Sequence, residues 1–223
     1  MKAPIQFEYS LSQRSDIAAF LPKHYKTVLE IGCAKGGFIA SLLPSVEVWG
    51  IEPNSVAALE ATARGYKILS GLYEEVSDIC PNAYFDVVVC NDVIEHMADH
   101  DKFLRDIKGK LAFNGCLVGS VPNVRYFGNL FKLLAKKDWK YEDQGVLDRT
   151  HLRFFTEKSL SRTFCDNGYI VNELRGINSD FSRRSTVRQF CKNALLMLVI
   201  LMSFGSFRDA RHVQIGFRIT PTK

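Results

Sequence analysis

The residues best placed to do chemistry stand in Val28-Leu29-Glu30-Ile31-Gly32-Cys33-Ala34-Lys35-Gly36-Gly37. A β-rich run, Thr27–Ile31, enters a glycine-bearing turn, and a helix is expected directly after it. Glycine in such a turn lets the backbone come close to a ligand and supplies permissive dihedrals. Nicotinamide, flavin and nucleotide sites all use turns of this kind, so the glycines alone do not choose among them. The acid does. Glu30 stands two residues before the first glycine, where a dinucleotide would set its pyrophosphate over the helix N-terminus. A carboxylate aimed into that space repels phosphate and welcomes a guest with a fixed positive charge. A second acid, Glu52, follows 22 residues later in Gly50-Ile51-Glu52-Pro53-Asn54. At a strand end it can accept hydrogen bonds from both hydroxyls of a ribose.

S-adenosylmethionine meets both demands, with a sulfonium, an α-ammonium group, a ribose and no phosphate. Methyl transfer from a sulfonium is an in-line displacement, with the attacking atom held at about 3 Å, so positioning carries most of the rate. A base is needed where the acceptor must lose a proton, as a hydroxyl must. The candidates are His96, Glu95 and His151, histidine being suited by its ordinary pKa near 6.5. Asp148 is expected to orient His151. Arg125, Arg149 and Arg153 suggest a phosphate or carboxylate on the acceptor.

The elements that must position these residues alternate. Strands are expected at Thr27–Ile31, Val46–Glu52, Tyr66–Ser70, Phe85–Cys90, Gly115–Val121, Tyr169–Leu174 and His212–Thr220. Helices are expected at Gly37–Leu43, Ser55–Arg64, Met97–Lys110 and Leu160–Asn167. This alternation implies right-handed crossovers and an α/β fold, a mostly parallel sheet with helices on both faces. Phe85–Cys90 is apolar enough to be buried on both faces. Ligands of such sheets bind at the carboxyl ends of the strands.

In their order, VLEIGCAKGGF, WGIEPN, FDVVVCNDVIEHM, GKLAFNGCLVGSVPNV and DRTHLRFFT resemble the class I S-adenosylmethionine-dependent methyltransferases. The branch they look most like holds the ubiquinone-biosynthesis type and bacterial sugar or glycan methyltransferases. The resemblance covers about Lys26–Gly176. It implies a Rossmann-like seven-stranded sheet with the last strand antiparallel. The chain would then be one domain, 1–223, with a core of 26–121 and 160–223 and a helical lid insertion at 122–159. It also implies S-adenosyl-L-methionine as cofactor, with Gly32, Cys33, Ala34 and Gly36 along its methionine part and Glu30 beside them. Glu52, with Pro53, would hold the ribose. Gly71 and Leu72 would border the adenine, and Asn91 and Asp92 would meet the cofactor after the fourth strand. The family's middle loop glycine is Ala34 in this chain. No metal is implied.

Composition narrows the remainder. With 223 residues, 47% hydrophobic and 24% charged, the chain can bury a real core, which excludes disorder, collagen and a polytopic membrane protein. Six cysteines stand at wide, irregular spacings without a CxxC, as expected of reduced thiols in a cytoplasmic protein. Met1–Ser10 shows no secretory pattern. The net charge of +5 is concentrated: 175–223 holds nine Lys/Arg and two Asp/Glu. Within that quarter, Ala194–Met202 is wholly apolar and too short to span a bilayer. It reads either as a core helix or as an interfacial helix making peripheral membrane contact through 187–211. The first functional reading is methylation of an O or N on a small-molecule acceptor, with a sugar, a glycan or an isoprenoid intermediate, anionic or lipid-linked, as the candidates. An RNA-modifying enzyme using the basic quarter is the alternative, although Asn91-Asp92-Val93-Ile94 replaces an Asn-Pro-Pro-Tyr-type signature. A non-catalytic binding module of the same fold is a third, opposed by the intact loop and both acids.

Overall fold

The computed structural model describes residues 14–179 and 187–222, with the backbone alone for 187–192. Met1–Ser10, Arg183 and Arg184 lie outside the described residues, as do the side chains of Arg188, Cys191 and Lys192. Seven strands form one sheet: β1 (Thr27–Ile31), β2 (Glu47–Glu52), β3 (Lys67–Ser70), β4 (Phe85–Asn91), β5 (Leu111–Pro122), β6 (Tyr169–Ser179) and β7 (His212–Pro221). Their order is β3-β2-β1-β4-β5-β7-β6. β1 pairs in parallel with β2 and β4, and β2 with β3. β7 runs antiparallel to β6, as expected of the closing strand. The helices are α1 (Ser15–Ala18), α2 (Ser55–Ala63), α3 (Tyr73–Val76), α4 (His100–Lys110), α5 (Phe127–Lys136), α6 (Glu157–Asp166) and α7 (Val187–Met202).

The chain packs as two compact units. One holds the residues up to Asn91 together with Asp106–Val118; the other holds Asp92–Arg105 together with the residues from Gly119 onward. In the first, Phe85 and Val87–Cys90 have no exposure at all, as a strand covered on both faces must. Val28, Leu29 and Ile31 of β1 and Ala57 and Ala61 of α2 share that burial. In the second, Phe164 of α6 meets Phe217 of β7 at 4.8 Å between ring centres. There the Tyr169 hydroxyl donates to the Leu104 carbonyl at 2.6 Å, so a buried polar group is satisfied.

Several boundaries differ from expectation for local reasons. Gly37–Leu43 makes only a 3-10 turn over Gly37–Ser41, after which Leu42 is extended; Pro44 disfavours helix at the residue before it. The helix expected from Met97 starts at His100, because Asp99 Oδ1 accepts from Lys102 N at 2.8 Å and fixes the first turn. Thr156 caps α6 in the same way through Ser159 N, so α6 begins at Glu157 rather than Leu160. β5 starts earlier than expected, at the buried Leu111, and β6 runs on to Ser179 because its ladder with β7 continues past the last buried side chain, Ile177.

Candidate active site

In the first unit the loop after β1 is built from left-handed residues: Gly32, Ala34 and Gly36 have φ of 69°, 49° and 73°. The Gly32 and Cys33 amides donate to the Ile51 carbonyl at 2.9 and 3.3 Å, tying the loop to β2. A side chain at Gly36 would meet Tyr66 Cε2 at 2.9 Å and Ala61 Cα at 3.0 Å. That position therefore needs glycine for space as well as for conformation.

Glu52 closes the loop. Its Oε2 accepts from Ala34 N and its Oε1 from Asn54 N, each at 2.9 Å, with the residue buried. Asn54 in turn caps α2 through Val56 N and Ala57 N. Glu30 is buried too, and the Tyr66 hydroxyl donates to its Oε2 at 2.5 Å. Burial pushes its pKa up to about 8, against the opposing pull of the Tyr66 hydrogen bond. The fixed negative charge expected at Glu30 is therefore mostly absent at pH 7: an acid expected to face the guest is housed against a tyrosine. Burial also pushes the Cys33 thiol up, so it stays protonated.

Gly71 follows β3 with φ 151°, and its amide donates to the Glu52 carbonyl at 3.1 Å. Leu72 beside it is exposed, and Pro53 precedes the α2 cap. At the end of β4, Asn91 Oδ1 is buried with no hydrogen-bond partner among the described residues. Buried acceptors are nearly always satisfied, so this one suits a bound donor. An orphaned acceptor, a loop that needs glycine at Gly36 and a buried acid, Glu52, at the end of β2 fit a cofactor that carries an ammonium group and a ribose.

The second unit contributes a different group of residues. Asp92, in left-handed conformation at φ 54°, accepts from Ser120 Oγ at 3.0 Å and from Gln214 Nε2 at 2.5 Å. Both of its oxygens are engaged, so it anchors the strand ends. Beyond it, one ligand-type atom from each of Glu95, His96 and His151 lies within 4.8 Å of the others. That is wider than the roughly 4.2 Å that two donors at zinc distances can span, and the sequence implied no metal. The imidazoles meet edge to face at 4.8 Å between ring centres. His96 Nδ1 lies 3.2 Å from the Thr150 carbonyl and His151 Nδ1 lies 3.1 Å from the Val146 carbonyl. A carbonyl only accepts, so each Nδ1 carries the hydrogen and each Nε2 keeps its lone pair in the neutral ring. His151 Nε2 stands 3.9 Å from the fully buried Glu95 carboxyl. His96 keeps an exposed edge, yet the wall behind it desolvates the ring. That burial, and then the neighbouring His151, lowers its pKa.

Two expectations fail here. Asp148 does not orient the His151 ring; its Oδ1 accepts from Thr150 N and Thr150 Oγ1 at 2.8 and 2.7 Å, and the ring is held by Val146 instead. The three arginines are not a free anion cluster. Arg125 pairs with Asp209 at 2.5 Å, Arg149 with Asp143 at 2.6 Å, and Arg153 donates to the Leu152 and Ala98 carbonyls. Aromatic side chains of the 122–159 insertion gather here: Phe154 meets Trp139 at 5.6 Å, and Tyr141 and His151 at 6.3 Å each. Sequence reasoning missed Tyr66, Ser120 and Gln214, whose partners lie tens of residues away with no local signal. Asn54 was legible, as a cap residue immediately before an Ala-rich helix.

Comparison with known proteins places these features in a family. A family model described as a methyltransferase domain matches residues 8–174. The ubiquinone biosynthesis O-methyltransferase of Rickettsia canadensis is 24% identical over 195 residues, which cover 81% of this chain and 77% of that protein. The enzyme of the same name from Bradyrhizobium diazoefficiens is 26% identical over 67% of this chain and 60% of its own length. Among solved structures, a SAM-dependent methyltransferase from Archaeoglobus fulgidus superposes with a TM-score of 0.61 at 16% identity, covering 92% of this chain and 90% of that one, and so shares the fold. Because the family match runs through the loop, both acids and five consecutive strands, the chain belongs to the class I S-adenosylmethionine-dependent methyltransferases.

Proposed function

We propose that the chain methylates a hydroxyl oxygen of a small, largely apolar acceptor, with His96 receiving the hydroxyl proton. The observation that carries this is the pair of imidazoles whose Nδ1 atoms are committed to backbone carbonyls, leaving Nε2 lone pairs. Of the two, His96 is exposed, whereas the His151 side chain is only 6% exposed. A lowered pKa keeps His96 neutral at pH 7, the form a base needs. His151 and the buried Glu95 then brace it. S-adenosyl-L-methionine, when bound, supplies an activated methyl group and a neutral leaving thioether. Gly32, Cys33, Ala34 and Gly36 form its backbone cradle, Glu52 takes the ribose hydroxyls, and Asn91 Oδ1 accepts from the ammonium group. Glu30, Pro53, Gly71 and Leu72 frame those contacts.

An isoprenoid intermediate suits this acceptor role better than a glycan. The polar side chains that would grip sugar hydroxyls, Arg125, Arg149 and Asp148, are already satisfied internally. The surface around His151 is aromatic. Such an acceptor is carried in lipid, and peripheral membrane contact through 187–211 belongs to the same reading.

The test is His96→Gln, assayed with a panel of polyprenyl phenols and of hydroxylated glycans. Loss of a general base lowers kcat by about 10²-fold or more, while calorimetric affinity for S-adenosylmethionine stays unchanged. In the wild type the rate rises with pH and levels off below the ordinary histidine pKa of 6.5. An unaltered kcat for the variant on the best hydroxyl acceptor overturns the assignment.

A further inference from the structure

Helix α7 is apolar where a surface helix should be polar. Ala194, Leu195, Met197, Leu198, Leu201 and Met202 are all exposed, Leu201 and Met202 by 76% and 73%. At 100° per residue they cover about 160° of the helix circumference without a polar residue among them. The opposite side is also apolar and already buried: Leu196 packs with Phe127 of α5 and Ala210, and Ile200 and Leu130 join them. A helix that is hydrophobic all round belongs in a core, and this one has core on one side only. The apolar stripe of α5 is itself partly exposed. Phe127 and Leu130 face α7, and the same i, i+3, i+4, i+7 row runs on to Phe131 and Leu134, which are 41% and 74% exposed. Phe204, beyond the end of α7, is fully exposed. An exposed apolar helix face of this kind marks a contact surface.

We propose that the outward face of α7 docks the chain onto the surface of an anionic lipid bilayer. This rests on the reading of a lipid-borne acceptor, and it names the surface and the lipid class. Charge decides the occupant. From Arg183 to Arg211 the sequence holds Arg183, Arg184, Arg188, Lys192, Arg208 and Arg211 against the single acid Asp209. Anionic headgroups neutralise this excess of positive charge in the sequence, while the apolar side chains enter the acyl boundary. The helix has 16 residues, about 24 Å at 1.5 Å per residue, against a hydrocarbon core of about 30 Å. It therefore lies along the interface. No helix among the described residues is long and apolar enough to cross a membrane.

The experiment is co-sedimentation of the full chain with vesicles of phosphatidylcholine alone and of phosphatidylcholine with phosphatidylglycerol. Binding to the second and not the first is expected, weakened by about 0.5 M salt, where the Debye length falls to a few ångströms. The double variant Leu198→Glu with Leu201→Glu, both at exposed positions, should lower the bound fraction about tenfold or more. No sedimentation of the wild type at low salt overturns the proposal. So does a stable dimer in solution that the double variant disperses while neither protein sediments. Calorimetry with S-adenosylmethionine on wild type and variant separates the two readings. Unchanged cofactor affinity with lost sedimentation assigns the loss to docking, whereas a wild type that sediments without binding cofactor leaves docking standing and removes the methyl-transfer reading.

Discussion

Glu30 shows how one buried acid links site and stability. Tyr66 donates to it, and burial still holds its pKa near 8, against an ordinary 4.5. The folded chain therefore keeps a proton that the unfolded chain releases. Between about pH 4.5 and pH 8 the native state binds more protons, so stability falls as pH rises through that window and levels off above it. Thermal unfolding followed from pH 5 to pH 8.5 should show Tm declining, and Glu30→Gln, which keeps an acceptor for Tyr66 and cannot ionise, should flatten the decline. An equally steep decline in the variant would assign it to other groups.

The loop after β1 sets the next scale. Ala34 holds φ 49° where the resembling family has glycine, and a left-handed alanine costs about 1 kcal/mol. Ala34→Gly should raise stability by up to about 1 kcal/mol by removing that strain, partly offset by the greater freedom of an unfolded glycine. Its amide still donates to Glu52, so cofactor affinity should hold. Gly36→Ala has the opposite sign. It adds strain at φ 73° and a Cβ at 2.9 Å from Tyr66, and should cost about 1–3 kcal/mol. Denaturant midpoints for both variants check the pair; a destabilised Ala34→Gly would contradict the strain argument. α7 belongs to the same scale, because one side of it packs in the core while apolar residues on the other stay exposed.

For the whole molecule, ligand linkage gives a measure independent of turnover. At free S-adenosylmethionine about 100 times Kd the folded state gains about 2.7 kcal/mol. For a chain of this size each kcal/mol is worth about 2–4 °C, so Tm should rise by about 5–10 °C. A nucleotide carrying a pyrophosphate should give no such rise. An equal shift with NAD would sink the cofactor assignment.

Sequence alone determined the strand order of business: five apolar runs separated by helices, a glycine turn, and acids at two strand ends. These are local facts of periodicity, dihedral permission and spacing, and they carried the fold class; the resemblance of the ordered motifs carried the family and, with it, the cofactor. The pairings across the chain came only with tertiary structure. Nothing near Glu30 announces Tyr66, 36 residues away, or that burial would protonate the acid. Nothing near His151 shows that Val146 rather than Asp148 holds its ring, or that Asp209 occupies Arg125. The apolar run in α7 fitted both a core and an interface until packing showed which side was covered, because burial is a property of neighbours and not of a residue's own type.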